Sequence, residues 1–138
     1  MTSKAEYIEK LRKSGLRPTK QRIEICEVLF NSDKTFHFTI NDLVKMIENN
    51  ASKKISLATL YNTIHAFEKK GYLKEIAINS SQSYFDTNTS DHHHFFDEKE
   101  NKLIDLEDKY VDPIKIKKTI PGKKIKSIEV LVKIDTAI

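Results

Sequence analysis

The chain has one cysteine, three glycines and three prolines in 138 residues. A single thiol excludes an intrachain disulfide and any zinc site built from thiolates alone. So little Gly and Pro disfavours a loop-rich all-β fold. No apolar run approaches the roughly 20 residues that span a bilayer. The N-terminal MTSKAEYIEK also lacks the apolar core of a signal peptide. A cytoplasmic protein with no membrane partner is the expectation. What the chain has is mixed charge: 32% of residues are charged and 38% hydrophobic. That balance suits a folded chain, and the length fits one large domain or two small ones.

The charge is unevenly placed. Residues 1–72 carry 13 Lys/Arg against 8 Asp/Glu, residues 86–112 carry 3 lysines against 9 acids, and residues 113–138 carry 7 lysines against 2 acids. A basic N-terminal half suits a polyanion, whereas an acidic stretch that holds histidines suits a cation.

The first half reads as four helices. Ser3-x-x-Glu6 is a capping box, and Tyr7, Ile8 and Leu11 follow on one face before a stop at Gly15. Pro18 fits the first turn of a second helix, which carries Ile25, Val28 and Leu29. A third helix starts near Thr39, with Ile40, Leu43, Val44 and Ile47 at helical spacing. The fourth starts at Ser56, turns Leu57, Leu60, Ile64 and Phe67 inward, and ends at Lys69-Lys70-Gly71. Leu73–Ile78 and Ser83–Asp86 then read as a β-hairpin. Three helices and a hairpin are the winged form of helix-turn-helix, in which the fourth helix reads the major groove.

The expected class is therefore α+β, with a winged-helix DNA-binding domain over 1–86 and a small α/β domain over 87–138. In the second domain Phe95-Phe96 and Leu103-Ile104 suggest strands about the turn Glu98–Asn101, and Ile128, Val130, Val132 and Ile134 alternate as in a half-buried strand. Residues 107–120 fit helix and strand equally. So short a unit buries little apolar surface alone, and a second copy is the simplest partner.

Two constellations carry chemistry. On the fourth helix, Thr59, Tyr61 and Asn62 lie near the end that enters the groove, and Arg17, Lys20 and Arg22 offer phosphate contacts. The second is Asp86 followed by Asp91-His92-His93-His94. On a strand, His92 and His94 share one face and His93 takes the other. Two imidazoles and a carboxylate bind iron, zinc or manganese, and Asp105 adds a further oxygen donor. Cys26 reads as a small buried residue. No Gly-rich phosphate loop or G-x-S-x-G nucleophile motif occurs.

Three motifs taken together resemble the ferric uptake regulator family. They are Gly15-Leu16-Arg17-Pro18-Thr19-Lys20-Gln21-Arg22, Ser56-Leu57-Ala58-Thr59-Leu60-Tyr61-Asn62-Thr63 and Asp91-His92-His93-His94. Ser56–Phe67 and Tyr84–Phe96 are most similar to the iron response regulator branch. The resemblance implies a homodimer on palindromic promoter DNA, joined through the C-terminal domains. It also implies a metal held by His37, Asp86, His92, His94 and Asp105, which would make domain geometry depend on metal. Fe(II) or Mn(II) is the expected ion, with Zn(II) able to occupy the site in vitro. Asp97 and Glu100 stand where the family's first cysteine pair falls, so no structural four-cysteine zinc is expected. Glu27 after Cys26 removes the cysteine-proline haem motif, which leaves His92, His93 and His94 as haem candidates.

The primary expectation is an iron-responsive regulator under control of iron or haem. A metal-dependent peroxide-sensing repressor of the same family is the alternative. Two histidines and a carboxylate also suit a non-haem iron oxygenase, which leaves the basic half unexplained. A DNA-binding module without an effector site leaves the histidine run unexplained.

Overall fold

The structure, a computed structural model, describes residues 3–50 and 54–138. Two compact units divide the chain, one ending at Thr89 and one spanning Ser90–Ile138.

The N-terminal unit holds α1 (Lys4–Lys13), α2 (Lys20–Phe30), β1 (His37–Phe38), α3 (Ile40–Asn50), α4 (Leu57–Lys70), β2 (Lys74–Ala77) and β3 (Ser83–Asp86). Local chemistry sets the helix starts. Ser3, Thr19 and Ser56 each accept a backbone N–H from three residues ahead. Before α3, the Thr39 hydroxyl accepts the Asp42 N–H at 3.1 Å while the Asp42 carboxylate accepts the Thr39 N–H at 2.9 Å, a reciprocal cap. Gly71, at φ 86°, closes α4 in the left-handed conformation that a side chain would strain. Apolar stripes of the four helices meet in one core, with Leu11, Ile25, Leu43, Leu60, Ile64 and Phe67 essentially inaccessible.

The structure corrects two expectations. Pro18 lies outside α2, because Thr19 caps the helix and the first helical residue is Lys20. Leu57 is not a core residue. It sits in the first turn of α4, beyond the packed stripe, and is 55% exposed, while Thr63 is buried among the hydrophobes of the helix. The Thr63 hydroxyl tolerates burial because it donates to the Thr59 carbonyl at 2.7 Å.

β2 and β3 form the expected hairpin, and β1 adds to the other side of β3 in the order β1-β3-β2. The antiparallel register sets His37 opposite Asp86.

The C-terminal unit is a second three-stranded sheet. β4 (His93–Asp97) pairs antiparallel with β5 (Lys102–Leu106) and parallel with β6 (Leu131–Ile134). Asn101, at φ 52°, and the Asp97 carboxylate, which accepts the N–H groups of Lys99 and Glu100 at 3.0 Å, shape the β4–β5 turn. Phe96 and Leu103 face each other in the ladder and are the unit's most buried hydrophobes. The helical content is one 3-10 turn, Asp108–Tyr110. The alternating pattern from Ile128 to Ile134 becomes a strand only from Leu131. Ile114–Lys117 is neither helix nor strand.

Candidate metal centre and nucleic-acid interface

Consecutive residues of an extended strand project to opposite sides, and the histidine run follows that rule. The rings of His92 and His94 lie with centroids 4.5 Å apart. The register places His94 opposite Asp105 on β5, which brings that carboxylate close to both rings. Asp105 Oδ1 is 3.5 Å from His92 Nε2 and 3.4 Å from His94 Nε2. One donor atom from each of the three lies within 4.8 Å of the other two. His92 and His94 are buried, while Asp105 reaches solvent.

Hydrogen bonds assign the His92 tautomer. Its Nδ1 lies 2.8 Å from the Ser90 carbonyl, which can only accept, so Nδ1 carries the proton. Nε2, the nitrogen facing Asp105, is then the one with the lone pair. Orienting a histidine through its other nitrogen is how metal sites fix their ligands. Two imidazole nitrogens and a carboxylate oxygen, with no thiolate, suit Fe(II), Mn(II) or Zn(II).

His93 does something else. Its Nδ1 accepts the Val130 N–H at 2.9 Å, and its Nε2 therefore carries the proton and donates to Asp108 at 3.0 Å. Both ring nitrogens are engaged, so axial ligation of haem by His93 would cost at least one of these bonds.

His37 and Asp86 belong to the N-terminal unit. Asp86 is buried at the end of β3 and accepts the Asn88 N–H at 2.9 Å. His37 opposes it on β1, and its ring meets Tyr84 edge-on at 6.0 Å. β1 left no mark on the sequence pattern, since two residues carry no period.

On α4, Leu57, Ala58, Tyr61, Asn62 and His65 are exposed, and the Tyr61 and His65 rings pack at 5.8 Å. Thr59 is half-buried, and its hydroxyl is held by Ser56 at 2.9 Å. Of the three predicted reading residues, Tyr61 and Asn62 reach solvent and Thr59 belongs to the cap. Leu57 is the exposed residue that sequence reasoning missed. Its place directly after the N-cap was the available signal. Arg17 and Lys20 are exposed. Arg22 is half-buried, and its guanidinium donates to the Arg17 carbonyl at 3.1 Å.

Cys26 is fully buried, and burial pushes its thiol up to about 12. It is an inert packing residue. No helix among the described residues is long and apolar enough to cross a membrane.

Four capped helices, a wing and a cluster of nitrogen and oxygen donors that could hold a metal ion are the features of a winged-helix metalloregulator. The profile of the Ferric uptake regulator family matches residues 13–134, and the chain belongs to that family. It is thus a transcriptional regulator and not an enzyme. The peroxide operon regulator of Bacillus subtilis (strain 168) is 38% identical over 101 residues, which is 73% of this chain and 68% of the relative. The peroxide-responsive repressor PerR of Staphylococcus epidermidis is 35% identical over 109 residues, 79% of this chain and 71% of the relative. The structure of the ferric uptake regulator from Pseudomonas aeruginosa with manganese superposes with a TM-score of 0.67 at 19% identity, covering 94% of this chain and 97% of that one. The iron response regulator branch and haem gain no support from these likenesses.

Proposed function

We propose that this chain is a metal-dependent, peroxide-responsive repressor that binds palindromic promoter DNA as a homodimer. The observation that carries the metal reading is the convergence of His92, His94 and Asp105 across the β4–β5 register. We assign His37 and Asp86 as the remaining donors. Only five residues separate Asp86 from His92, which caps the distance between their Cα atoms at about 20 Å. Ligands drawn from both units would make DNA geometry depend on metal. Residues 1–86 take the DNA-binding role, through Arg17, Lys20 and Arg22 at phosphates and Tyr61 and Asn62 at base edges. Residues 87–138 take the dimerisation role. The two relatives described above, both named as peroxide regulators, favour peroxide as the signal.

The test is promoter binding at fixed salt by metal-free protein and by protein loaded with Fe(II), Mn(II) or haem, each with and without hydrogen peroxide. The proposal expects metal to promote DNA binding. Peroxide should then release only the Fe(II) form, with a mass gain of one oxygen atom on His37 or His92. Fe(II) protein that keeps its DNA and its mass under peroxide would instead be a sensor of iron availability. DNA affinity indifferent to metal would remove the switch.

A further inference from the structure

The C-terminal unit carries a long exposed segment outside its sheet. Residues 112–129 are exposed without interruption. They form no helix or strand, and the one backbone hydrogen bond within 113–128 is Lys123 N–H to the Ile120 carbonyl at 3.0 Å. That bond and Gly122 at φ 76° define a type II turn with Pro121 and Gly122 at its centre. The segment is thus an arm with a built tip. Its base is built as well, because the His93 ring holds Asp108 on one side and the Val130 N–H on the other.

The composition of the arm points to a protein partner. Between Pro113 and Ile128 stand six lysines and no acid. Among the described residues, Lys115, Lys117, Lys118, Lys123, Lys124 and Lys126 make no side-chain ion pair or hydrogen bond. Ile114, Ile116, Ile120, Ile125 and Ile128 are 37–66% exposed. Lysines alone would suit DNA phosphates equally well. Five exposed isoleucines on a backbone outside any ladder suit a protein surface that buries them and completes the pairing. Such a surface exists on the same chain. The β4–β5 hairpin and the residue after it, 93–107, carry five acids against two lysines, and β5 is an edge strand with Ile104 40% exposed.

We propose that the arm, residues 113–128, docks on the acidic β4–β5 hairpin of a second copy, so that two arms are exchanged in the dimer. This rests on the homodimer reading above and specifies the surface. Like charge disfavours the alternative in which the two arms pair with each other.

Charge swapping tests the proposal, read by sedimentation of the full chain at micromolar concentration. A variant with Lys115→Glu, Lys117→Glu and Lys118→Glu should associate at least tenfold more weakly than the parent. So should one with Glu98→Lys, Glu100→Lys and Glu107→Lys, which spares the metal donors and Asp108. An equimolar mixture should recover a one-to-one dimer, since each arm then meets an opposite face. Mn(II) binding retained by both variants reports that the C-terminal unit is folded. If the Glu variant aggregates, Gln at the same three lysines should show the same weakening to a smaller extent. The idea is overturned if the lysine variants remain dimeric. It is equally overturned if the mixture fails to associate. A dimeric lysine variant with weakened DNA binding and a reduced salt slope would reassign the arm to phosphate contacts. None of these outcomes depends on peroxide or on the identity of the metal.

Discussion

Neighbouring histidines at the start of β4 are committed to different tasks by what meets Nδ1. A carbonyl at His92 fixes the proton on Nδ1 and turns Nε2 into a donor of its lone pair, whereas an amide at His93 does the reverse. His92→Ala or His94→Ala should therefore lower Mn(II) affinity by at least the roughly 10–100-fold lost when even an outer partner of a metal ligand is removed. His93→Ala should leave Mn(II) affinity within a few fold. It should instead destabilise the fold by about 1–3 kcal/mol, because Val130 N–H loses its acceptor. Calorimetric titration and urea melts separate the two effects, and equal metal loss in all three variants would contradict the strand geometry. Cys26 makes a second residue-scale prediction. Its thiol keeps its proton in the fold up to about 12, while in the unfolded chain it ionises near the ordinary value of about 8.5. The unfolded state binds fewer protons in that window, so stability is full below it and falls as pH rises through it, by about 1.4 kcal/mol per unit. The unfolding free energy of Cys26→Ala, from urea melts between about pH 9 and 10, should lack that slope.

Elements explain which expectations held. Helices and the wing were legible because their determinants are local: Ser56 and Gly71 bracket α4, and Leu60, Ile64 and Phe67 keep its period. Leu57 continued the period but lies past the edge of the core, and its place directly after the N-cap Ser56 is the one local sign of that. β1 was invisible because its pairing with β3 is long-range. The Ile/Lys alternation at 114–117 looked like a strand and has no ladder to join within the chain. The candidate donors His92, His94 and Asp105 were legible as residue types, yet the meeting of His94 with Asp105 depends on a strand register that the sequence pattern does not show. On α4, Asn62→Ala or Tyr61→Ala should cost about 1–3 kcal/mol on the specific site and little on random DNA. Arg17→Ala or Lys20→Ala should weaken both and lower the salt slope by about one each. Fluorescence anisotropy on the two duplexes at several salt concentrations measures this, and an Asn62→Ala loss shared equally by both duplexes would remove α4 as the reading element.

At the scale of the whole molecule, the two units are built by different rules. The first has a contiguous core of helices held by near neighbours, while the second has two buried large hydrophobes, Phe96 and Leu103, and relies on its ladders. The β4–β5 turn is short, but Val130 meets His93 across 37 positions of sequence. Closing that loop costs more chain entropy, by about 0.6 kcal/mol for each doubling of length, before any contact forms. The consequence lies in time rather than in space. The β4–β5 hairpin can form while the chain beyond it is still unordered, so β6 is expected to be the last strand of this sheet to join and the first to leave. Hydrogen exchange should register that sequence of events: the amides of His94 and Glu98, bonded to the Val130 and Ile134 carbonyls, should exchange before those bonded between β4 and β5.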